Sequence, residues 1–150
     1  MRVVLQRASE ASVTMSGKVA GSIGPGLVVL AAFEEADTAE DIQWMSGKIA
    51  RLRVFNDEQG RMNRSLQEIS GELLIVSQFT LYASTKKGNR PSYMRSAKPE
   101  MAIPLYEQFV RQATQDLGRA VQTGEFGAHM EVRLVNDGPV TLLLDSRDRQ

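Results

Sequence analysis

The chain has 150 residues, 42% of them hydrophobic and 24% charged, a composition that suits one folded domain over residues 1–150 and excludes a disordered chain. It has no cysteine and a single histidine, His129, which excludes disulfides, thiol catalysis, iron–sulfur clusters, Cys-based zinc sites and any three-histidine metal site within one chain; neither a metal nor a cofactor is expected. Lys+Arg and Asp+Glu both number 18, so the overall charge points to no class of partner.

Taken in chain order, the first third reads as strands. Val3, Leu5 and Val13 fall on one face if the strand breaks around Ala8–Ala11, and Ser16-Gly17 then marks a hairpin. Gly24-Pro25-Gly26 turns the chain into LVVLAAF, an apolar run that suits a strand buried on both faces. From 37 to 52 the period changes: Ile42, Met45, Ile49 and Leu52 recur at helical spacing behind an Asp37-Thr38 cap, with Asp41 three residues beyond Thr38. The acids between Glu34 and Asp41 read as a solvated helix start that suits the helix dipole. Asn56 to Gly60 reads as a loop, and ELLIVSQFTLY as the most hydrophobic strand.

A second helix is predicted from Pro99 or Pro104 to Leu117, with Leu105, Phe109, Ala113 and Leu117 on one stripe and Gly118 as its stop. HMEVRLV and VTLLLD flank Asn136-Asp137-Gly138-Pro139, and read as two strands paired across a turn whose Gly-Pro bond is trans. The fold class is therefore α+β: a mainly antiparallel or mixed sheet curled towards a barrel, with two principal helices. The longest apolar runs, Leu27–Phe33 and Leu73–Val76, fall far short of the roughly 20 residues of a membrane span. The N-terminus reads as a strand rather than a signal peptide, so a soluble, cytoplasmic protein is expected.

Three features carry possible chemistry. Ser77, Gln78 and Thr80 interrupt the apolar run of a buried strand, around Phe79, and desolvated polar groups need partners; the plain alternative is a strand end bonding its own backbone. No acid occurs from Leu73 through Pro99, while Lys86, Lys87, Arg90, Arg95 and Lys98 do, which gives a local positive potential suited to phosphates or an ordinary solvated face. Gly138-Pro139 offers no proline amide, so its carbonyls are free for display, as in any plain turn. His129 lies one residue before Met130 with no metal-spaced partner and reads as structural. GSIGPG precedes a strand rather than a helix, so it is no phosphate loop.

Over nearly its whole length the chain resembles the D-aminoacyl-tRNA deacylases. The resemblance rests on Ser77-Gln78-Phe79-Thr80-Leu81 and Asn136-Asp137-Gly138-Pro139-Val140-Thr141, supported by the basic loop and by Gln6-Arg7. It implies hydrolysis of the ester between a D-amino acid, or glycine, and the 3′-terminal ribose of tRNA, with L-aminoacyl-tRNA rejected. It also implies a homodimer with active sites at the interface. Ser77, Gln78, Phe79 and Thr80 of one chain would face a cis Gly138-Pro139 of the other, with Arg7 holding the Gly-Pro loop, Met130 near the pocket, and Asn136 and Thr141 in support. Lys86, Lys87 and Arg90 are assigned to acceptor-stem phosphates from their charge alone. Tyr82 and Ser84 depart from the family pattern, and Tyr82 bears on the back wall of the pocket. Neither membrane nor DNA is expected as a partner. Two other readings remain open: a tRNA-binding module without chemistry, and a hydrolase using Thr80 or Ser77 with His129.

Overall fold

A computed structural model describes residues 1–150. Its framework is a long first strand, β1 (Arg2–Met15), with neighbours on both sides. Ser16 and Gly17 both take positive φ, as a two-residue hairpin turn requires, and return the chain as β2 (Lys18–Ile23), antiparallel to the end of β1. β3 (Gly26–Ala32) follows the Gly-Pro-Gly corner and pairs antiparallel with the start of β1, Arg2 opposite Ala32. On its other side β3 pairs in parallel with β6 (Glu72–Ser77), which pairs in parallel with β7 (Gln122–Thr123). A side chain at Gly26 would collide with the Glu72 backbone, so glycine is needed where these strands meet. As its apolar run predicts, β3 is buried nearly throughout.

β8 (Glu131–Asp145) pairs along the remaining edge of β1. The far edges of the sheet curl together: a Cβ on Gly21 in β2 would lie 3.0 Å from the Thr123 carbonyl of β7. The result is a mixed sheet close to a barrel. A second, two-stranded sheet, β4 (Phe55–Asn56) with β5 (Met62–Arg64), flanks the loop read at Asn56–Gly60, of which only Asn56 joins a strand.

The two helices fall where their periodicity places them. α1 (Ala39–Arg51) starts with a capping box in which the Asp41 carboxylate accepts the Thr38 N–H at 2.8 Å and its hydroxyl at 3.0 Å. α2 (Pro99–Leu117) has proline at its start and Gly118 in the left-handed conformation at its end. Ile42, Met45 and Ile49 from α1, and Ala102, Tyr106, Phe109, Ala113 and Leu117 from α2, pack on Val3, Leu5, Leu27, Val29 and Ile75. Leu105 lies at the rim of this core, and Tyr106 takes the inner position.

Three sequence expectations need correction. Val13 does not share the face of Val3 and Leu5: the register of β1 against β8 shifts twice between Gln6 and Glu10, and Ala8, Ala11 and Val13 join a separate cluster with Ile23, Val28, Leu74 and Val76. An extra residue in a strand exchanges its faces. ELLIVSQFTLY is not one strand; β6 ends at Ser77 and Phe79–Tyr82 form a 3₁₀ turn. The acids before α1 are not all solvated, because Asp37 and Asp41 are buried. Asp37 pairs with the Met1 ammonium, which also donates to Ser146 Oγ at 2.8 Å, and Arg147 reaches Glu34 at 3.3 Å and Asp37 at 3.7 Å. Buried acids persist where cations and donors meet them.

Burial pushes the Asp41 carboxyl upward, but its bonds from Thr38 draw it net below the usual carboxylate range. A carboxyl depressed in the folded state stabilises above its unfolded value, about 3.9, and that contribution is lost as pH falls through the folded value. Asp41→Ala is therefore expected to cost about 1 kcal/mol near neutrality. The difference from wild type should shrink below about pH 4, as urea unfolding at pH 7 and pH 3 would register.

Candidate active site

Ser77 closes β6 opposite Ala31, and the Gln78 N–H makes the last sheet bond, to the Ala31 carbonyl at 2.7 Å. The chain then bends into the 3₁₀ turn. The first N–H groups of such a turn have no partner within it, which leaves the Phe79 and Thr80 amides as available donors. Gln78 Nε2 donates to Thr80 Oγ1 at 2.5 Å, and the Ser96 hydroxyl donates to the Phe79 carbonyl at 3.3 Å. Phe79 is 53% exposed, with Tyr93 packed edge-on at a centroid distance of 5.0 Å. Beside it a small apolar cleft is lined by Ala32, Phe33, Ser77, Ser96, Ala102 and Phe126.

The second motif is not the turn of a hairpin. β8 runs continuously past it, with Thr141 opposite Gln6 and Asn136 opposite Ala8, so four residues, Asp137 to Val140, stand against Arg7 alone. This wide bulge carries a cis Gly138-Pro139 bond, as the family resemblance implies and contrary to the trans reading of the residues alone. Asn136 spans its neck: Oδ1 accepts the Val140 N–H at 3.2 Å and Nδ2 donates to Thr141 Oγ1 at 3.1 Å, which also takes the Gln6 amide at 3.2 Å. Gly138 has φ +132, and a Cβ there would lie 2.9 Å from the Val140 side chain. Arg7 is buried behind the bulge. Its Nε donates to the Asp137 carbonyl at 3.0 Å, and one terminal nitrogen donates to the Val54 carbonyl at 2.7 Å and to Asn56 Oδ1 at 3.4 Å.

Within one chain the two motifs lie apart. Ser77 is level with Ala31 and Val3, four residues along β1 from Arg7, and β6 lies three strands from β8. At about 3.3 Å per residue and 4.8 Å per strand, they are about 20 Å apart over the sheet surface. Met130 packs on Gly124 and against the cluster holding Val13 and Val76, next to Ser77 in sequence. His129 is exposed in the loop before β8 rather than in a strand. The Thr80 hydroxyl faces the Gln78 amide, which is no base.

Ser84 and Ser92 exchange backbone hydrogen bonds of 2.8 and 2.9 Å and close a loop on which Lys86, Lys87 and Arg90 are exposed. Arg95 leaves this group, since it pairs with Glu34 at 3.4 Å and lies over the Tyr82 ring. Tyr82 is buried between Arg2 and Arg95, with its hydroxyl on Glu34, and burial raises its phenol well above the ordinary value. The sequence reading passed over Tyr93 and Ser96; their signal was position alone, directly after the basic loop.

The turn thus sets amide donors beside small hydroxyls, an arrangement able to stabilise a developing oxyanion such as arises in acyl transfer. Residues 4–145 match the family model of D-Tyr-tRNA(Tyr) deacylase. A D-aminoacyl-tRNA deacylase of Dechloromonas aromatica is 59% identical over 147 residues, 98% of each chain, and one of Akkermansia muciniphila is 56% identical over the full length of both. Among solved structures, one titled c-Myc DNA Unwinding Element Binding Protein is 39% identical with a TM-score of 0.92, covering 97% of this chain and 98% of its own. A probable eukaryotic D-amino acid tRNA deacylase, 20% identical, shares the fold at a TM-score of 0.83 over 95% and 97%. The chain belongs to the D-Tyr-tRNA(Tyr) deacylase family.

Arg7→Ala would leave the Asp137 and Val54 carbonyls without their donor and is expected to cost about 1–3 kcal/mol in urea unfolding. Arg7→Lys should recover only part of it, because an ammonium lacks the planar fork that reaches both carbonyls.

Proposed function

We propose that this chain, as one deacylase domain over residues 1–150, hydrolyses the ester between a D-amino acid or glycine and the 3′-terminal ribose of tRNA, and spares the L ester. The observation that carries the reading is the 3₁₀ turn after Ser77, which leaves the Phe79 and Thr80 amides as donors beside the small polar groups of Ser77 and Gln78. Water attacks the ester carbonyl carbon, the carbonyl oxygen becomes an oxyanion on those amides, and the acyl carbon–ribose oxygen bond breaks as the ribose oxygen takes a proton. Each such donor is worth about 2.7–4 kcal/mol to the transition state. Thr80 orients rather than attacks, since its hydroxyl has no base to activate it. The terminal 2′-hydroxyl of the tRNA is a second source of assistance.

The active unit is a homodimer in which Gly138 and Pro139 of one copy meet Ser77–Thr80 of the other. Their separation of about 20 Å within one chain supports this, as does β8, a 15-residue strand paired only to β1 with Val135 and Leu143 exposed. The carbonyls of Gly138 and Pro139 then hold the substrate ammonium and occupy the direction of an L side chain, an exclusion that needs no reading of side-chain identity. Arg7, Asn136 and Thr141 keep the bulge in shape, Met130 backs the pocket, and no cofactor takes part. No helix is long and apolar enough to cross a membrane; a cytoplasmic enzyme acting on aminoacyl-tRNA is the corresponding reading.

With matched esters, the D-tyrosyl and glycyl forms should be cleaved and the L-tyrosyl form spared, with the protein sedimenting as a dimer. Glycyl-tRNA left intact would overturn exclusion as the filter. Thr80→Ala should keep most of its turnover, and a loss of several orders of magnitude with tRNA still bound would restore Thr80 as nucleophile. Reversing the charges of Lys86, Lys87 and Arg90 should weaken tRNA binding alike for all esters and flatten its salt dependence. Unchanged KM would make the loop mere solvated surface. Retention of tRNA or DNA without cleavage of any ester would favour a binding module.

A further inference from the structure

The Phe79–Thr80 peptide is planar and trans, so its carbonyl and its N–H point in opposite directions and turn as one body. Whatever holds the Phe79 carbonyl therefore sets the direction of the Thr80 amide. Within the turn the Tyr82 N–H bonds it, and from outside the Ser96 hydroxyl donates to it at 3.3 Å. That is long for an O–H···O bond, so its effect is orientation more than stabilisation.

Ser96 is itself well fixed. Its N–H bonds the Tyr93 carbonyl at 3.0 Å, and the next amide, Ala97, bonds the Phe33 carbonyl at 2.9 Å, at the end of the β3 segment. Tyr93 packs against the Phe79 ring at 73°, so the same short turn grips both the backbone and the side chain of Phe79. The neighbouring peptide is held from within the turn alone: the Gln78 carbonyl takes the Leu81 N–H at 3.2 Å. Thus the Phe79 amide is set by the 3₁₀ turn alone, and the Thr80 amide draws on a second hold from outside it.

We propose that Ser96 is a positioning residue that aims the Thr80 amide at the developing oxyanion, with Tyr93 bracing the Phe79 ring. The assignment rests on the ester-hydrolysis reading above. A hydrogen bond to a peptide carbonyl also strengthens the N–H of that peptide as a donor, which acts in the same direction.

The test uses the full chain with D-tyrosyl-tRNA. Ser96→Ala should lower kcat about tenfold with KM unchanged, less than the 10²–10³ that losing a donor outright costs. Ser96→Thr should restore kcat. In amide NMR spectra the Thr80 proton resonance should move in Ser96→Ala and return in Ser96→Thr, a readout independent of turnover. If Ser96→Ala does not fold, Ser96→Cys keeps the size with a poor donor and carries the same expectation. Wild-type kcat in Ser96→Ala, a change confined to KM, or an unmoved Thr80 resonance would overturn the assignment while leaving the hydrolysis reading intact. A wild-type protein that left the D ester uncut would overturn both.

Discussion

The buried guanidinium of Arg7 is the contact on which the motif architecture depends. It stands opposite four residues of β8, and nothing apolar could fill that place, because the bulge turns the Asp137 carbonyl inward. The same side chain reaches Val54 and Asn56, and so ties the small β4–β5 sheet to the bulge. One fork of donors thus joins three parts of the chain that are far apart in sequence. Arginine suits this role because its charge is permanent and its geometry rigid. The proposed exclusion by backbone atoms requires a bulge held in shape in this way before substrate arrives.

What was legible in the sequence was local. Ser16-Gly17, the Thr38 and Asp41 cap and Gly118 each act within a few residues, so their elements fall where periodicity and turn chemistry place them. The Ser77–Thr80 and Gly138–Pro139 motifs were also visible as residue types. What escaped was whatever depends on a distant partner. Asn-Asp-Gly-Pro has the composition of a turn, and only pairing to β1 makes it an excursion within one strand. Val13 changes face because of register shifts between strands more than a hundred residues apart. Asp37 is buried because the start and end of the chain converge on it. Ser96 matters through one hydroxyl that meets a carbonyl 17 residues away.

The chemistry is economical because the substrate is already activated. An ester of a ribose hydroxyl needs less help than an amide, and backbone donors with a positioned water can supply it without a strong base or a metal. On the proposed reading that places the demand on geometry: oriented amides on one side of the site and oriented carbonyls on the other. Both are backbone groups, so neither depends on a side-chain pKa. Tyr82, Asp41 and Asp145, whose values are displaced, belong instead to the ion-pair and hydrogen-bond network that packs the sheet's end against α1.

The pairing of β1 with β8 has a consequence for how the molecule forms. Arg2 lies opposite Asp145, so the central strand of the sheet keeps one edge open until β8 has been made. Contacts of such sequence separation make folding slow relative to helical proteins of similar size. During synthesis that open edge is a site for wrong pairing with other nascent strands. The apolar start of the chain therefore has to wait, unpaired on one side, for the segment that carries the Gly-Pro motif.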